Sequence, residues 1–132
     1  MKYRLAAAVL CCVAGTASAS DWVPVGSSSA SGIASIMLDR ASVRADGGTV
    51  KVWAKYLFEQ PLVLPRSNPE IRFNVYMMLS EFRCAERQAN DLHADYYLGD
   101  KFVSQSPLTS GWHDVTPDSN SELVLIRACK LK

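Results

Sequence analysis

The stretch Ser42-Val43-Arg44-Ala45-Asp46-Gly47-Gly48-Thr49-Val50-Lys51-Val52-Trp53 constrains this chain more than any other. Its two arms alternate apolar and polar residues and are rich in β-branched side chains, the pattern of half-buried strands. Asp-Gly between them signals a hairpin, because both central positions of a type I′ turn need positive φ. Alternation then assigns faces. Ala41, Val43 and Ala45 share one side, and Val50, Val52 and Ala54 share another. A two-residue loop aligns those sets as one core face and leaves Arg40, Ser42, Arg44, Thr49, Lys51, Trp53 and Lys55 on the other. A three-residue loop would set Arg44 beside Val50 and mix the faces, so pattern and turn agree only on an even loop.

The rest of the chain is read around that hairpin. Trp22-Val23-Pro24-Val25 is a short strand candidate, Ser27 to Gly32 a small polar loop, and Ile33 to Leu38 a second strand. Pro61, Pro65 and Pro69 exclude central strand and helix interior, so Gln60 to Glu70 is expected as a surface loop. Ile71 to Cys84 returns to strand character, with Ile71, Phe73, Val75, Met77 and Leu79 on one side. Leu92 to Leu98 and Lys101 to Ser104 form a second hairpin about Gly99-Asp100, and Asn90-Asp91 is the expected reversal before it. Ser119 followed by Glu122 is a capping box after Pro117-Asp118, and it starts a C-terminal helix. Val124, Leu125, Ala128 and Cys129 share one helical side, with Leu123 and Ile126 on a second flank. Arg127 and Lys130 sit near the end where positive charge suits the helix dipole. The expected fold class is α+β, one antiparallel sheet of about six strands braced by a C-terminal helix.

Met1 to Ala19 reads as a secretory signal: Lys2 and Arg4, an apolar run from Leu5 to Gly15, and Ala17-Ser18-Ala19 as the cleavage site. The apolar run is about half of the ~20 residues a spanning helix needs, so no transmembrane segment is expected in the mature chain. Cys11 and Cys12 lack the small preceding residues of a lipoprotein site, which disfavours a lipid anchor. One domain is expected over residues 20–132, since a chain of 132 residues rarely buries two cores. Export leaves Cys84 and Cys129. In an oxidising compartment two lone cysteines most often pair, with two free thiols as the alternative. Such a bridge closes a loop of about 45 residues, worth on the order of 4 kcal/mol.

Chemistry is sparse. His93 and His113 lie on different segments without metal-ligand spacing, and His113-Asp114 has no designated nucleophile. No cofactor is implied. A formal net charge of +1 gives no reason to expect nucleic acid as a partner. The constellation that stands out is the polar hairpin face, where Arg40, Arg44, Lys51 and Lys55 bracket Trp53, with Arg40 nearly opposite the indole. Such a patch suits an anionic partner, a sulfated glycan or an acidic protein surface; the alternative is an indole covered by the helix or another loop. Open sheet edges also allow a homodimer.

The order of several features carries a resemblance. An early Trp22 is followed by Asp39 with Ser42-Val43, then by Val52-Trp53 after the glycine turn. Glu81-Phe82-x-Cys84, a tyrosine pair before Gly99, Trp112, and Pro117-x-Ser119-x-x-Glu122 ahead of Cys129 complete the series. Over Asp21 to Lys130 the chain resembles the bacterial surface-adhesin protein E family. The resemblance implies an antiparallel sheet, a C-terminal helix, a Cys84–Cys129 disulfide, no catalysis, and a host extracellular-matrix protein as partner. Surface display or secretion is one implied location. Because the signal lacks an acylation site, a soluble periplasmic protein contacting envelope components is the other reading.

Overall fold

The computed structural model describes residues 19–131. The signal segment, with Cys11 and Cys12, lies outside the described residues apart from Ala19. Eight strands form one antiparallel sheet: β1 (Trp22–Ser28), β2 (Ile33–Asp39), β3 (Arg44–Asp46), β4 (Thr49–Val63), β5 (Arg72–Arg83), β6 (Gln88–Leu98), β7 (Lys101–Pro107) and β8 (His113–Asp114). The main path runs β1-β2-β4-β5-β6-β7, while β3 pairs with β4 and β8 with β6. The expected six strands are that path. Of the two off that path, β3 is the first arm of the glycine hairpin, three residues long, and β8, two residues long, is too short to carry a hydrophobic period.

The glycine hairpin forms as expected. Ala45 pairs with Val50 and Asp46 with Thr49, leaving Gly47 and Gly48 as the two-residue loop with φ of 54° and 86°. On β4 the alternation holds, and Val50, Val52, Ala54 and Tyr56 are all buried. On the other arm it fails, because β3 is exposed along its whole length and Arg40–Ser42 form a 3-10 turn. Ala45 is therefore solvent-facing, and only Val43 of that arm packs firmly on the core. The turn has a cause: Asp39 accepts the backbone N–H of Ala41 at 3.1 Å, and its carboxylate also takes that of Asp21 at 2.7 Å. Capping by the aspartate competes with continued pairing.

Three further expectations are corrected. β4 continues to Val63, through the segment expected as a loop. Pro61 is tolerated because the register jumps from Leu57↔Val75 to Leu62↔Phe73, and the residues between form a bulge without a β5 partner. The reversal before β6 lies at Cys84–Arg87, and Asn90-Asp91 sits inside β6 opposite Glu81 and Ser80. The third concerns β5, whose apolar residues Ile71 to Leu79 do not form one core side. Tyr76, Met78, Ser80 and Phe82 face the core, and Val75, Met77 and Leu79 face away. Beyond the bulge Phe73 packs against Phe58 and Tyr96, with ring centroids 5.9 and 5.0 Å apart.

Helix α1 (Asn120–Lys130) starts at Ser119, whose hydroxyl accepts the Glu122 N–H at 3.2 Å, while the Glu122 carboxylate accepts the Asp118 N–H at 2.7 Å. Val124, Leu125 and Ala128 bury against Val50, Val52 and Phe82. Leu123 and Ile126 are about two-fifths exposed, at 38% and 40%. Gly26 lets the helix sit close to β1, since a Cβ there would lie 3.2 Å from Leu123 Cδ1. Cys84 and Cys129 are bonded, tying the end of β5 to the last helical turn across 45 residues. The core ends in a cross-strand row, Tyr56–Tyr76–Tyr96, with centroids 5.7 and 5.2 Å apart. Burial raises the phenol pKa of Tyr56 and Tyr76, and the Asp91 carboxylate raises both further.

Candidate binding face

Because α1 covers one face of the sheet, the side chains that alternate with the core residues make up the other. Strand registry arranges them in rows. Trp53 stands opposite Leu79, and Leu79 opposite His93; Lys55 aligns with Met77 and Asp95, and Leu57 with Val75 and Tyr97. Nearer the glycine hairpin the rows are polar: Arg44–Lys51–Glu81–Asn90, then Asp46–Thr49–Arg83–Gln88–Asp114. The face is thus divided into an apolar half and a polar half.

The expected patch residues are partly brought together. Lys51, Trp53 and Lys55 project from alternate positions of β4, and Arg44 is paired directly with Lys51. Arg40 is not among them. The 3-10 turn takes it out of the strand, and its guanidinium closes on the Asp21 carboxylate at 2.6 Å. The group beside Trp53 is instead Ser42, whose hydroxyl accepts the Trp53 N–H at 3.0 Å where β4 has left β3 and not yet met β2. No cation covers the Trp53 indole among the described residues. It meets the His93 ring edge-on at 6.0 Å, and His93 in turn binds Asp95 at 2.8 Å. Trp53 is half-buried by its neighbours on the sheet, not by the helix.

The positive charges are already engaged. Lys51 lies 3.3 Å from Glu81. Lys55 Nζ sits 4.0 Å over the Trp22 ring, a residue with no part in the expected patch. Desolvation lowers the Lys55 pKa, and the Asp39 carboxylate opposes that shift. Trp22, Lys55, Leu57, Val75, Met77 and Tyr97 border an open hollow of about 430 Å³. Sequence periodicity could not find it, because its walls come from β1, β4, β5 and β6. His113 and Asp114, the one catalytic imitation in the sequence, have separate partners: the Gly111 carbonyl at 3.1 Å and the Gln88 amide at 3.1 Å. Among the described residues no group of three or more His, Cys, Asp or Glu could hold a metal ion, and no helix is long and apolar enough to cross a membrane.

The model of the surface-adhesin protein E family matches residues 22–130, from the first strand to the last helical turn. The chain belongs to the surface-adhesin protein E family. The same fold occurs in solved structures of Haemophilus influenzae protein E. One aligns at 15% identity and a TM-score of 0.53, over 72% of this chain and 80% of that one. Another aligns at 18% identity and a TM-score of 0.53, over 72% and 76%. No curated protein sequence matches. The Cys84–Cys129 bond and the antiparallel sheet with its C-terminal helix are the features that the resemblance implied for this chain.

Proposed function

We propose that this chain is an exported, non-catalytic binding protein of the adhesin type, which engages a host matrix protein through the open face of its sheet. The observation that supports this reading most is the apolar half of that face. Trp53, Leu57, Val75, Met77, Leu79 and Tyr97 lie side by side, half-buried by one another, on the side away from α1. Aromatic and methionine side chains on a rigid sheet are the residue types that carry interface energy, with a rim of Lys51, Lys55 and Asp95 to set orientation. Lys51 is paired with Glu81, and Lys55 is stacked on Trp22 in a row that ends in Asp95. Among the described residues the face therefore offers no cluster of free positive charge to a polyanion, which favours a protein surface over a sulfated glycan. Homodimerisation is part of the same reading. β7 ends the sheet and its first six residues contain no proline, whereas the opposite edge, β1, carries Pro24 and Gly26.

Binding of the mature chain to immobilised matrix proteins and to heparin, at two salt concentrations, tests the proposal. Trp53→Ala should weaken matrix binding by about tenfold or more, as expected for a central anchor. Charge reversal of Lys51 and Lys55 should change mainly its salt dependence. Unchanged binding in both variants would remove this face as the site. Surface protease accessibility on intact cells tests display separately.

A further inference from the structure

The polar half of the open face has a feature that a solvated sheet surface does not need. Trp112, from the loop before β8, borders a groove of about 440 Å³ whose other walls are Arg44, Asp46, Thr49, Lys51 and Glu81. That volume lies in the range of small-molecule sites. The guanidinium of Arg83 stacks 4.0 Å from the indole centroid and holds the ring against the sheet. We propose that this groove binds an uncharged saccharide, with Trp112 as its stacking wall.

Charge comes first in the argument. Arg44 and Lys51 are offset by Asp46 and Glu81, so the lining offers no net charge to a polyanion or a cation. What it does offer is a dense mixture of donors and acceptors: the Arg44 guanidinium, the Lys51 ammonium, the Thr49 hydroxyl and the carboxylates of Asp46 and Glu81. Arg83 Nη1 lies 3.4 Å from Gln88 Oε1, and Gln88 Nε2 lies 3.1 Å from Asp114 Oδ1. Asn90 Nδ2 lies 3.4 Å from Glu81 Oε2. These links lie behind the lining and hold Arg83, under Trp112, and the Glu81 carboxylate in place. The β4 and β5 backbones beneath are paired with each other through Thr49↔Arg83 and Lys51↔Glu81. A peptide strand could not add to the floor, so recognition there must run through side chains. A pyranose fits that description. Its hydroxyls exchange hydrogen bonds with both signs of partner, and its C–H face packs on the electron-rich face of an indole.

Titration of the mature chain with chitotriose, read by calorimetry and tryptophan emission, tests the assignment. Saturable binding that is insensitive to salt is expected. Trp112→Ala should weaken it by about tenfold or more, and Trp112→Phe should retain most of it. Should Trp112→Ala fail to fold by circular dichroism, Asp46→Ala with Thr49→Val removes hydrogen-bonding groups that line the groove and touches neither Trp112 nor Arg83; the same loss is expected. Trp53→Ala should leave chitotriose binding unchanged, which separates this groove from the matrix-protein face. Absence of saturation, equal affinity in the Trp112→Ala or the Asp46→Ala/Thr49→Val variant, or displacement of chitotriose by a heparin hexasaccharide would overturn the proposal.

Discussion

The two faces of the sheet share one backbone yet obey different rules. Val50, Val52, Ala54 and Tyr56 alternate along β4 with Lys51, Trp53, Lys55 and Leu57, so each face has the same strands, registry and curvature. On the covered face, packing against Val124, Leu125 and Ala128 takes Val50, Val52 and Phe82 out of water almost completely. On the open face, comparable apolar side chains stay half-buried because only their strand neighbours shield them. Burial of apolar area is therefore what separates a stabilising row from a binding row, and residue type alone does not separate them.

That contrast can be broken by substitution at two positions of one strand. Phe82→Ala, which empties a site that is 1% exposed, should cost about 3–5 kcal/mol in urea unfolding. Leu79→Ala, three residues away on the open face, should cost less than half as much; equal costs would show that the open face is packed like a core. Next in size is the disulfide. Replacing Cys84 and Cys129 together with Ser should cost about 2–4 kcal/mol and loosen α1 from the sheet, read by helical signal and by unfolding midpoint. The smallest effect is confined to alkaline pH. Tyr56 and Tyr76 have pKa values raised above those of the unfolded chain, so their contribution is intact below about pH 10 and is lost as pH rises further. Stability should fall there by up to about 1.4 kcal/mol per pH unit for each tyrosine. Tyr56→Phe should flatten the fall, and an unchanged slope would contradict the burial of that hydroxyl.

Local chemistry explains which expectations held. The glycine turn, the β4 period and the Ser119–Glu122 cap each depend on residues within a few positions, and each formed as expected. Arg40 leaves the expected row because strand alternation from Arg40 to Ala45 takes no account of Asp39, whose carboxylate captures two backbone N–H groups and turns the chain. The β5 faces were misread for a different reason. Val75 to Leu79 is apolar on both sides, and such a stretch has no contrast for periodicity to detect. Asn90-Asp91 had turn-forming composition, yet cross-strand partners Glu81 and Ser80 held it extended. Lys51, Trp53 and Lys55 were legible as a shared face; Trp22 and Trp112 were not, since each reaches the face from a distant segment.

Sequence alone determined the reversals at Gly47-Gly48 and Gly99-Asp100, the helix start, the parity of β4 and the pairing partners open to two lone cysteines, because each follows from short-range sterics or a short count. Tertiary structure decided which face α1 would cover, where Arg40 would find its carboxylate, and which tryptophans would border a hollow. Those outcomes depend on contacts between residues far apart in the chain, such as Lys55 with Trp22 and Arg83 with Trp112, and no local period records them.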